Sequence, residues 1–558
     1  MGDQYRAGLS RIRQSPIVVF CFRYRAALGT LVFAVATGIL VMHHEPWRDE
    51  AQAWLIARDT PNILALLRMG GYEGTPLLWH LLLMPFAKLG LPFSSAQLLN
   101  VSIVTGAAYV FLKKAPFSFF NRLLFVFGYF MVYEYGAIAR SYGFFVLLIF
   151  VCALCYGKRF RRPILYACSV AFLAQTTLFG TITAFVLACS YTIEGICSTG
   201  YTGLRKYFMY GFGIAFSGVL LAVAQLLPPL DLNGNVQQWH IDFFRVGIVV
   251  GALFEAFMPI PIQGIHFWNS NAMLLPDIHP IAPSHGLPYL QYFLSEGIRS
   301  VFLVIGIALY PFSLFVMRRI ARVPLIIYGL TSFLVLAVFF FKYFEGARHS
   351  GIIFILFMFF AWISAYYSRG FDTTIHMGNR PIRVSVILTF FLLPQIIATP
   401  IAYAYEMIFP FSSSGYVRHA LVGRGFMGGS TFVATYPATY ATPILLDAPV
   451  GRVRFFSLED NEERSFMLWN RTDAISSSNR DLSAQEVVNR FERGFYTGHY
   501  IRGILILRDT RDRDVSAELS HLFRPLGCMG QSTTISDEMY CIYEYIPSSN
   551  RRRSILYD

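Results

Sequence analysis

The chain has 558 residues and a net charge of +13, and 55% of its residues are hydrophobic, 16% aromatic and only 14% charged. This composition excludes a soluble enzyme of this length and is typical of a polytopic membrane protein. Nucleic-acid binding is not indicated either, because the arginines lie between apolar stretches and form no basic patch interleaved with aromatic residues.

Apolar stretches of about 17 to 22 residues, each long enough to cross a bilayer, predict eleven membrane-spanning helices. Two shorter or interrupted stretches, 76–90 and 246–258, are interpreted as interfacial or re-entrant helices. The first stretch follows several arginines but precedes no small-x-small cleavage site, so we expect a retained span. The predicted spans lie near residues 26–42, 97–112, 119–137, 142–157, 163–177, 179–196, 207–227, 298–317, 324–341, 351–367 and 384–404.

Basic residues concentrate in alternate segments between the predicted spans, which places the N-terminus in the cytoplasm by the positive-inside rule. On this map, twelve of the fifteen Asp and Glu residues before residue 405 face outward. Acidic residues contribute little to orientation, so their collection on one side indicates a polar cavity that opens outward. We therefore expect a multi-pass protein of the bacterial inner membrane whose functional face is periplasmic.

The last part of the chain, residues 405–558, has an ordinary water-soluble composition. Alternating segments such as TFVAT, RVRFFSL and GILILRD, with the helical SAQEVVNRFERGF, predict a periplasmic α/β domain. Its two cysteines, Cys528 and Cys541, are either a disulfide or two buried free thiols. The predicted organisation is a transmembrane domain, 1–404, with outward loops 43–96 and 228–297, followed by this soluble domain.

The loop that follows the first predicted span begins VMHHEPWRDEAQAWLIARDTPNI. Its apolar residues recur at helical spacing and predict an amphipathic helix lying on the membrane surface. Thr60 followed by proline predicts the N-cap of a second short helix, which we expect to end at Gly70 and Gly71. The apolar set is Trp47, Ala51, Trp54 and Leu55.

Asp49 and Glu50 begin the first of these helices, and two interpretations are open. Carboxylates near a helix N-terminus stabilise the helix by about 0.3 to 1 kcal/mol, so the pair could have a capping role alone. A carboxylate held at a hydrophobic rim beside Trp47 could instead act as a general base for an incoming hydroxyl. The position next to the hydrocarbon favours a lipid substrate.

The segment YEYGAIARSYG places Glu134 near the outer end of the third predicted span, with Arg140 and Tyr142 just beyond it. An ionised side chain inside a membrane is costly, so Glu134 requires a partner or a wet cavity. Either Glu134 and Arg140 form a structural ion pair, or these residues border a substrate pocket.

The segment FKYFEGARHSG, between the ninth and tenth predicted spans, supplies Lys342, Glu345, Arg348 and His349 at the outer rim. A lipid phosphate needs cationic donors at headgroup depth, and the planar guanidinium of arginine binds phosphate oxygens in pairs. Arg348 is therefore the first candidate, with Lys342 and His349 assisting. Lys342 could equally extend its ammonium to the interface without binding a ligand.

The outward loop 228–297 is rich in histidine and tryptophan and is longer than a connection requires, which is typical of a binding loop or lid. Its histidines lack an H-x-x-x-H pair, and no cysteine ligands accompany them. We therefore predict no metal cofactor, although a divalent metal stays an open alternative. The residues concerned are Asp231, Trp239, His240, Asp242, Arg245, Glu255, His266, Trp268, His279 and His285.

The order of these segments resembles the GT-C superfamily of integral-membrane glycosyltransferases, which includes protein O-mannosyltransferases and the lipid A aminoarabinose and galacturonic acid transferases. The motifs are WRDEAQAW in the first outward loop, GTPLLWHLLLMPFAKLG, a span ending in FLKK, and YEYGAIARSYG, so the resemblance is best over residues 20–200. The chain departs from the mannosyltransferase pattern at Thr75 and Pro76, where a His-Pro-Pro is common, and His80 comes later.

The resemblance implies a GT-C-like helical fold that transfers a sugar from a polyprenyl-phosphate carrier to an acceptor hydroxyl of a glycolipid, polysaccharide or protein during cell-envelope glycan synthesis. It also implies that the first outward loop supplies the base, which would be Asp49, with Glu50 as its rival. Direct attack would invert the anomeric carbon. A lipid-linked glycan transporter or flippase, or a structural membrane subunit, is the alternative.

The predicted site residues fall into two further groups. Contacts to the donor phosphate are assigned to Arg348, Lys342, His349 and Arg140. The substrate pocket is assigned to Trp47, Arg58, Tyr72, Glu73, His80, Glu134 and Tyr142. The expected partners are the polyprenyl-phosphate sugar, a lipid or glycan acceptor and membrane lipid.

Overall fold

A computed structural model describes most of the chain, apart from both termini and several loops. The described residues are 16–197, 205–230, 245–259, 287–342, 346–368, 374–377, 380–408, 410–426, 431–436, 443–446, 455–459, 461–468, 482–508, 521–529 and 540–547. Most of the predicted outward loop 228–297, including all its histidines and tryptophans, lies outside the described residues, as does Glu345.

The membrane part is helical. Its helices are α1 Pro16–His43, α2 Arg48–Asp59, α3 Ile63–Leu67, α4 Gly70–Glu73, α5 Leu78–Lys88, α6 Ser94–Lys114, α7 Phe119–Val126, α8 Ser141–Tyr156, α9 Pro163–Ala174, α10 Leu178–Cys197, α11 Arg205–Leu226, α12 Val246–Phe257, α13 Leu287–Ile320, α14 Arg322–Phe341, α15 Ala347–Ser364 and α16 Val384–Ile408. A π-helix, Phe130–Glu134, lies between α7 and α8, and a β-hairpin, β1 Thr374–Met377 and β2 Arg380–Arg383, precedes α16.

Among the described residues, seven helices are long and apolar enough to cross a membrane, which makes this a polytopic membrane protein. They are Arg23–His43, Ser94–Lys114, Leu178–Cys197, Phe208–Leu226, Arg322–Phe341, Ala347–Ser364 and Val384–Ile408. Three shorter apolar helices, α8, α9 and α12, lie beside them in the bundle. The total of eleven crossings stays a prediction.

The predicted span 119–137 is not one continuous helix. Its helix α7 ends at Val126, the π-helix follows, and the chain leaves helical structure before Arg140. The buried amide of Asn100, on α6, donates to the carbonyl oxygens of Tyr135, Gly136 and Ile138 at 3.0 to 3.2 Å. These bonds satisfy carbonyls that a continuous helix would have bonded internally, so the break is stable within the bundle.

The stretch 246–258, predicted as an interfacial or re-entrant helix, forms a short helix that packs within the bundle. Helix α12 packs against α13 and α15, and its Ile248, Ala252 and Ala256 are fully buried. The small side chains of Ala252 and Ala256 allow close helix approach, which is a common basis of helix packing in membranes.

The structure corrects the prediction that residues 48–59 form a helix on the membrane surface. Helix α2 is buried from Glu50 to Arg58, since α5 packs against it and a segment from the C-terminal region covers it. The covering cluster joins Trp54 and Leu55 to Leu445, Phe455 and Met467. The apolar spacing therefore predicted one buried face of α2 correctly, while residues distant in sequence cover its other face.

The turns after α2 also differ from expectation. Asn62, and not Thr60, is the N-cap of α3, since its side chain accepts from the N–H of Ala65 at 2.9 Å. Gly70 and Gly71 lie inside α4 and do not end a helix. A Cβ on Gly71 would come within 2.4 Å of the Leu227 carbonyl oxygen, so glycine is needed there for close packing against the end of α11.

The C-terminal region is an α/β unit. Its strands are β3 Thr431–Tyr436, β4 Phe455–Ser457, β5 Glu462–Arg464, β6 Arg502–Arg508, β7 Phe523–Met529 and β8 Tyr540–Tyr545, and its helices are α17 Ser414–Gly423 and α18 Ala484–Thr497. The sheet order is β5-β4-β3-β6-β8-β7. Strand β3 runs parallel to its neighbours β4 and β6, whereas β8 runs antiparallel to its neighbours β6 and β7.

Alternation along β6 explains why both faces of the sheet carry a helix. Ile504 and Ile506 pack with Leu421 of α17, whereas Leu505 packs with Phe491 of α18. Successive strand residues point to opposite faces, so an apolar run produces two buried surfaces. A disulfide joins Cys528 of β7 to its register neighbour Cys541 of β8, which decides between the two alternatives for these cysteines.

Candidate active site

Three distant segments bring one carboxylate and two guanidinium groups together. Asp49 lies in the first turn of α2, Arg140 directly precedes α8, and Arg348 lies in the first turn of α15. The Oδ2 atom of Asp49 is 3.2 Å from Arg140 Nη1 and 3.1 Å from Arg348 Nη2. We call these three residues the charge cluster. Their side chains are 18 to 26% exposed, so a ligand can reach them.

Trp47 forms a platform beneath the charge cluster. Its buried ring lies 4.8 Å from the guanidinium carbon of Arg348 and 5.7 Å from that of Arg48. A guanidinium stacks favourably on an indole face, and the contact fixes the plane of the fork. The Nε atom of Arg48 is also 4.0 Å from Oδ1 of Asp49, so a third cation borders the cluster.

The protonation state of Asp49 follows from these neighbours. Burial alone would raise its pKa, but the charges of Arg140, Arg348 and Arg48 outweigh burial and lower the pKa below its ordinary value. Burial likewise opposes the charge of Arg140, yet Asp49 raises the arginine pKa. Asp49 is therefore ionised and is a weak base while both arginines hold it.

The backbone around Arg140 is fixed from two sides. The N–H of Ala139 donates to Glu50 Oε1 at 2.7 Å, and the three carbonyl bonds from Asn100 hold the residues before it. Glu50 is the neighbour of Asp49 on α2, so one carboxylate couples the position of α2 to the loop that carries Arg140.

Arg348 is positioned by the π-helix region. The hydroxyl of Tyr135 donates to the Arg348 carbonyl oxygen at 2.9 Å. A Cβ on Gly351 would come within 2.4 Å of the Phe130 ring and of the Tyr135 hydroxyl oxygen, so the first turns of α15 lie directly against this region. On the other side, Ser350 Oγ donates to Glu255 at 3.0 Å.

Glu73 is a second carboxylate near the charge cluster, with a different protonation behaviour. Gln52 Nε2 donates to its Oε1 at 2.9 Å. Burial raises the pKa of Glu73 to about 7, against the opposing influence of the Gln52 hydrogen bond and the Arg140 charge, and the negative charge of Asp49 adds to the rise. Asp49 and Glu73 thus differ in charge state near neutral pH, which is a common property of carboxylates in active sites.

His80, on α5, is 2% exposed, and neither of its ring nitrogens has a hydrogen-bond partner within the described part of the chain. Burial, with the charge of Arg140, lowers its pKa to about 3, so the imidazole is neutral. A neutral imidazole offers one donor and one acceptor to a ligand.

The structure places the remaining predicted residues as follows. Tyr142 lies beside Arg348 and Arg140, and its ring is 5.9 Å from that of His349. The His349 ring also packs on Phe179 and Phe339. Lys342 follows the end of α14, and Tyr72 lies on α4 next to Glu73. The roles assigned to these residues stay predictions.

Two of the predicted pocket residues, Arg58 and Glu134, form their side-chain bonds with residues other than those of the charge cluster. Arg58 lies at the opposite end of α2, roughly 13 Å along the helix from Asp49. Its guanidinium pairs with Asp59 at 2.8 Å and donates to the Leu445 carbonyl at 3.1 Å. Glu134 accepts from the Tyr129 hydroxyl at 2.8 Å, so the alternative of a Glu134–Arg140 ion pair is not formed.

Sequence reasoning missed a buried network behind Glu50. His44 Nε2 is 2.9 Å from Glu50 Oε2, and His44 Nδ1 is 2.9 Å from Oε1 of Glu406, near the end of α16. The Tyr133 hydroxyl donates to the other oxygen of Glu406. A signal was present, since His44 and Glu406 directly follow the first and last predicted spans, where ionisable residues are unusual.

These contacts also change the interpretation of Glu50. Its two oxygens accept from the N–H of Ala139, from His44 and, at 3.3 Å, from the N–H of Trp47. A carboxylate that is 1% exposed and already accepts three hydrogen bonds is poorly accessible to a substrate hydroxyl. Asp49 is therefore the better candidate for a base.

No protein-family model matches this chain, and no curated protein matches it. Among solved structures, the chain is similar to the crystal structure of ArnT from Cupriavidus metallidurans bound to undecaprenyl phosphate. The likeness covers 94% of this chain and 98% of that chain, at 9% sequence identity and a TM-score of 0.46. A likeness at this level carries no argument about the site, so function is inferred from the geometry and from the sequence motifs.

Proposed function

We propose that this chain is a membrane glycosyltransferase that transfers a sugar from a polyprenyl-phosphate-linked donor to an acceptor hydroxyl on the periplasmic side of a bacterial inner membrane. The supporting observation is the charge cluster, in which Asp49 meets Arg140 and Arg348 beside helices long enough to cross a membrane. One carboxylate and two guanidinium groups are the groups that such a transfer requires.

The charge of the cluster suits the donor. Asp49, Arg140 and Arg348 carry a net charge of +1 when all are ionised, and a polyprenyl phosphosugar is a phosphodiester with one negative charge. Arginine binds phosphate oxygens through two parallel N–H bonds, and Trp47 fixes the orientation of Arg348 for such a contact. The polyprenyl tail would lie along the apolar surface of the bundle.

The chemical step is a displacement at the anomeric carbon. The acceptor oxygen forms a bond to that carbon while the bond from the carbon to the phosphate oxygen breaks, and its electron pair leaves with the phosphate. The acceptor proton passes to Asp49, and the arginines stabilise the charge that develops on the departing phosphate. Direct attack inverts the anomeric configuration.

Donor binding would also activate the base. Without a ligand, Arg140 and Arg348 hold the pKa of Asp49 low, which makes it a poor proton acceptor. Phosphate oxygens compete for the same guanidinium groups, and the pKa of Asp49 rises because the negative phosphate offsets the positive charges that hold it low. Proton abstraction before the donor is in place is thereby disfavoured.

The test is sugar transfer by purified protein in lipid nanodiscs. A panel of polyprenyl-phosphate pentoses and hexoses is supplied with an envelope lipid extract as acceptor, and release of polyprenyl phosphate is followed. We expect Asp49→Asn to lower turnover by roughly 100- to 10,000-fold, the range for loss of a general base. Glu462→Gln, at an exposed carboxylate in the C-terminal sheet, is the matched control and should keep full activity.

Two outcomes would overturn the proposal. Full turnover by Asp49→Asn would remove the base assignment. If the polyprenyl-phosphate sugar moves between the two leaflets of the bilayer without release of polyprenyl phosphate, the protein is better explained as a transporter.

A further inference from the structure

Behind the charge cluster lies a continuous chain of buried hydrogen bonds. It runs from the hydroxyl of Tyr133 to Glu406, then through His44 to Glu50, and ends at the N–H of Ala139. The side chains of His44, Glu50 and Glu406 are all 0% exposed. The chain thus links α1, α2, α16 and the break between α7 and α8.

A doubly protonated His44 fits this geometry. Each ring nitrogen lies 2.9 Å from a carboxylate oxygen, and an ionised carboxylate can only accept. Burial alone would lower the pKa of His44, but Glu50 and Glu406 raise it well above its ordinary value. The remaining negative charge is met by the donors from Tyr133 and Ala139.

The bonds of His44 and Glu406 point away from the reacting groups. Within the described part of the chain, their side-chain hydrogen bonds go to Glu50 and Tyr133 and to each other, and none goes to the charge cluster. The hydrogen-bonded route from these residues to Asp49 and Arg140 runs through Glu50, which is adjacent to Asp49 in sequence and holds the residue before Arg140.

We propose that His44 and Glu406 are positioning residues for the transfer reaction, because the imidazolium locks Glu50 and thereby sets the distance between Asp49 and Arg140. The inference rests on the proposed function. A positioning role requires both N–H bonds of His44, so a side chain that can reach only one of the two carboxylates leaves Glu50 free to shift.

The test compares His44→Gln and Glu406→Gln with the wild type. A displacement of about 1 Å at a reacting group can cost about 100-fold in rate. We expect both variants to lower kcat by about 10- to 100-fold, while the donor KM changes less than threefold. The double variant should lose no more than the worse single variant, because both residues act through Glu50. In an Asp49→Asn background, His44→Gln should cause no further loss.

The matched control is Glu194→Gln. Glu194 also accepts hydrogen bonds from neighbouring side chains, here Tyr156, Ser190, Arg159 and Tyr367, and among the described residues none of these bonds leads to the charge cluster. We expect this variant to lower the melting temperature in nanodiscs and to leave kcat per folded molecule unchanged.

The outcomes separate the two proposals. If Asp49→Asn abolishes turnover but the His44 and Glu406 variants keep wild-type kcat, the positioning role is wrong and the proposed function stands. If Asp49→Asn keeps its turnover, the proposed function itself fails. The folded fraction of Glu406→Gln is measured by tryptophan emission and by size-exclusion profile. If the loss of turnover in this variant is fully explained by a smaller folded fraction, the positioning role is also wrong.

Discussion

Asp49 lies on α2 and Arg348 lies on α15, far apart in the chain, yet their carboxylate and guanidinium groups meet at 3.1 Å. Arg348 also stacks on Trp47, which lies two residues before Asp49. One arginine therefore makes two contacts with the N-terminal end of α2. This arrangement fixes the guanidinium in plane and direction before any ligand binds, which lowers the ordering cost of phosphate binding.

The planar fork of Arg348 is the basis of the first prediction. We expect Arg348→Ala to lower kcat/KM for the donor by about 100- to 1,000-fold, as for loss of a charge-stabilising donor in other enzymes. The kcat/KM of Arg348→Lys should exceed that of Arg348→Ala by less than tenfold, because an ammonium neither binds phosphate in a bidentate manner nor stacks flat on Trp47. Steady-state kinetics against donor concentration measure both values.

Arg319→Lys serves as the control for this pair. Arg319 also stacks on an aromatic ring, Phe315 at 5.0 Å, but it lies near the end of α13, outside the charge cluster. The variant should behave as the wild type. A wild-type donor KM and kcat in Arg348→Lys would show that charge alone suffices.

A second prediction concerns the broken helix. Asn100→Asp replaces a donor that serves three carbonyl oxygens with a carboxyl group that donates at most once, and only when protonated. We expect a loss of stability on the order of 3 kcal/mol, since buried carbonyls are left without partners. The melting temperature in nanodiscs measures the effect.

The same variant should also impair donor turnover, because the residues held by Asn100 lead to Arg140. Ser102→Ala on the exposed face of the same helix removes one hydroxyl that donates to the Leu98 carbonyl, and it should change neither quantity measurably. If Asn100→Asp and the wild type have the same melting temperature, water must satisfy those carbonyls. The proposal that Asn100 stabilises the helix break would then be wrong.

The charged residues of the cluster could be selected from the sequence because the signal is local. Asp49, Arg140 and Arg348 each stand where an apolar stretch ends, and an ionisable group there is costly unless it has a partner or a function. The α/β character of the C-terminal region was likewise readable from strand alternation and one amphipathic helix. The helical membrane class with this appended sheet is confirmed.

The contacts that complete the fold depend on residues far apart in sequence. Periodicity predicted one apolar face of α2, but it contains no information on Leu445 and Met467, which cover the other face. The break at the π-helix depends on Asn100 of a neighbouring helix. Similarly, the sequence marks His44 and Glu406 separately as ionisable residues at span ends, but no local pattern shows that the two are in contact.

A third prediction follows from Gln52, which joins α2 to the C-terminal region. Its amide donates to the Met467 carbonyl at 2.7 Å and accepts from the Met467 N–H at 3.0 Å, while it also donates to Glu73. Gln52→Glu removes the donor and places a carboxylate near Glu73 and a carbonyl oxygen. We expect a loss of about 1 to 3 kcal/mol and faster proteolysis of the C-terminal region.

Limited trypsin digestion in nanodiscs, followed by mass spectrometry, measures this change. Gln485→Glu is the control, because the amide of Gln485 donates to Asn489 on the exposed face of α18, away from α2. Equal digestion rates for Gln52→Glu and the wild type would contradict a role for Gln52 in holding the C-terminal region against α2.

The last prediction is the pH dependence caused by Glu73. Its pKa is about 7 in the folded protein, above the ordinary value of 4.5, so the folded state binds more protons than the unfolded state between these values. Stability therefore falls as pH rises through this window, because ionisation costs more in the buried site than in the unfolded chain. We expect Glu73→Gln to remove part of the decrease in melting temperature between pH 5 and pH 8. The difference between variant and wild type isolates Glu73 from other titrating groups, and parallel curves for the two proteins would mean that Glu73 is ionised throughout.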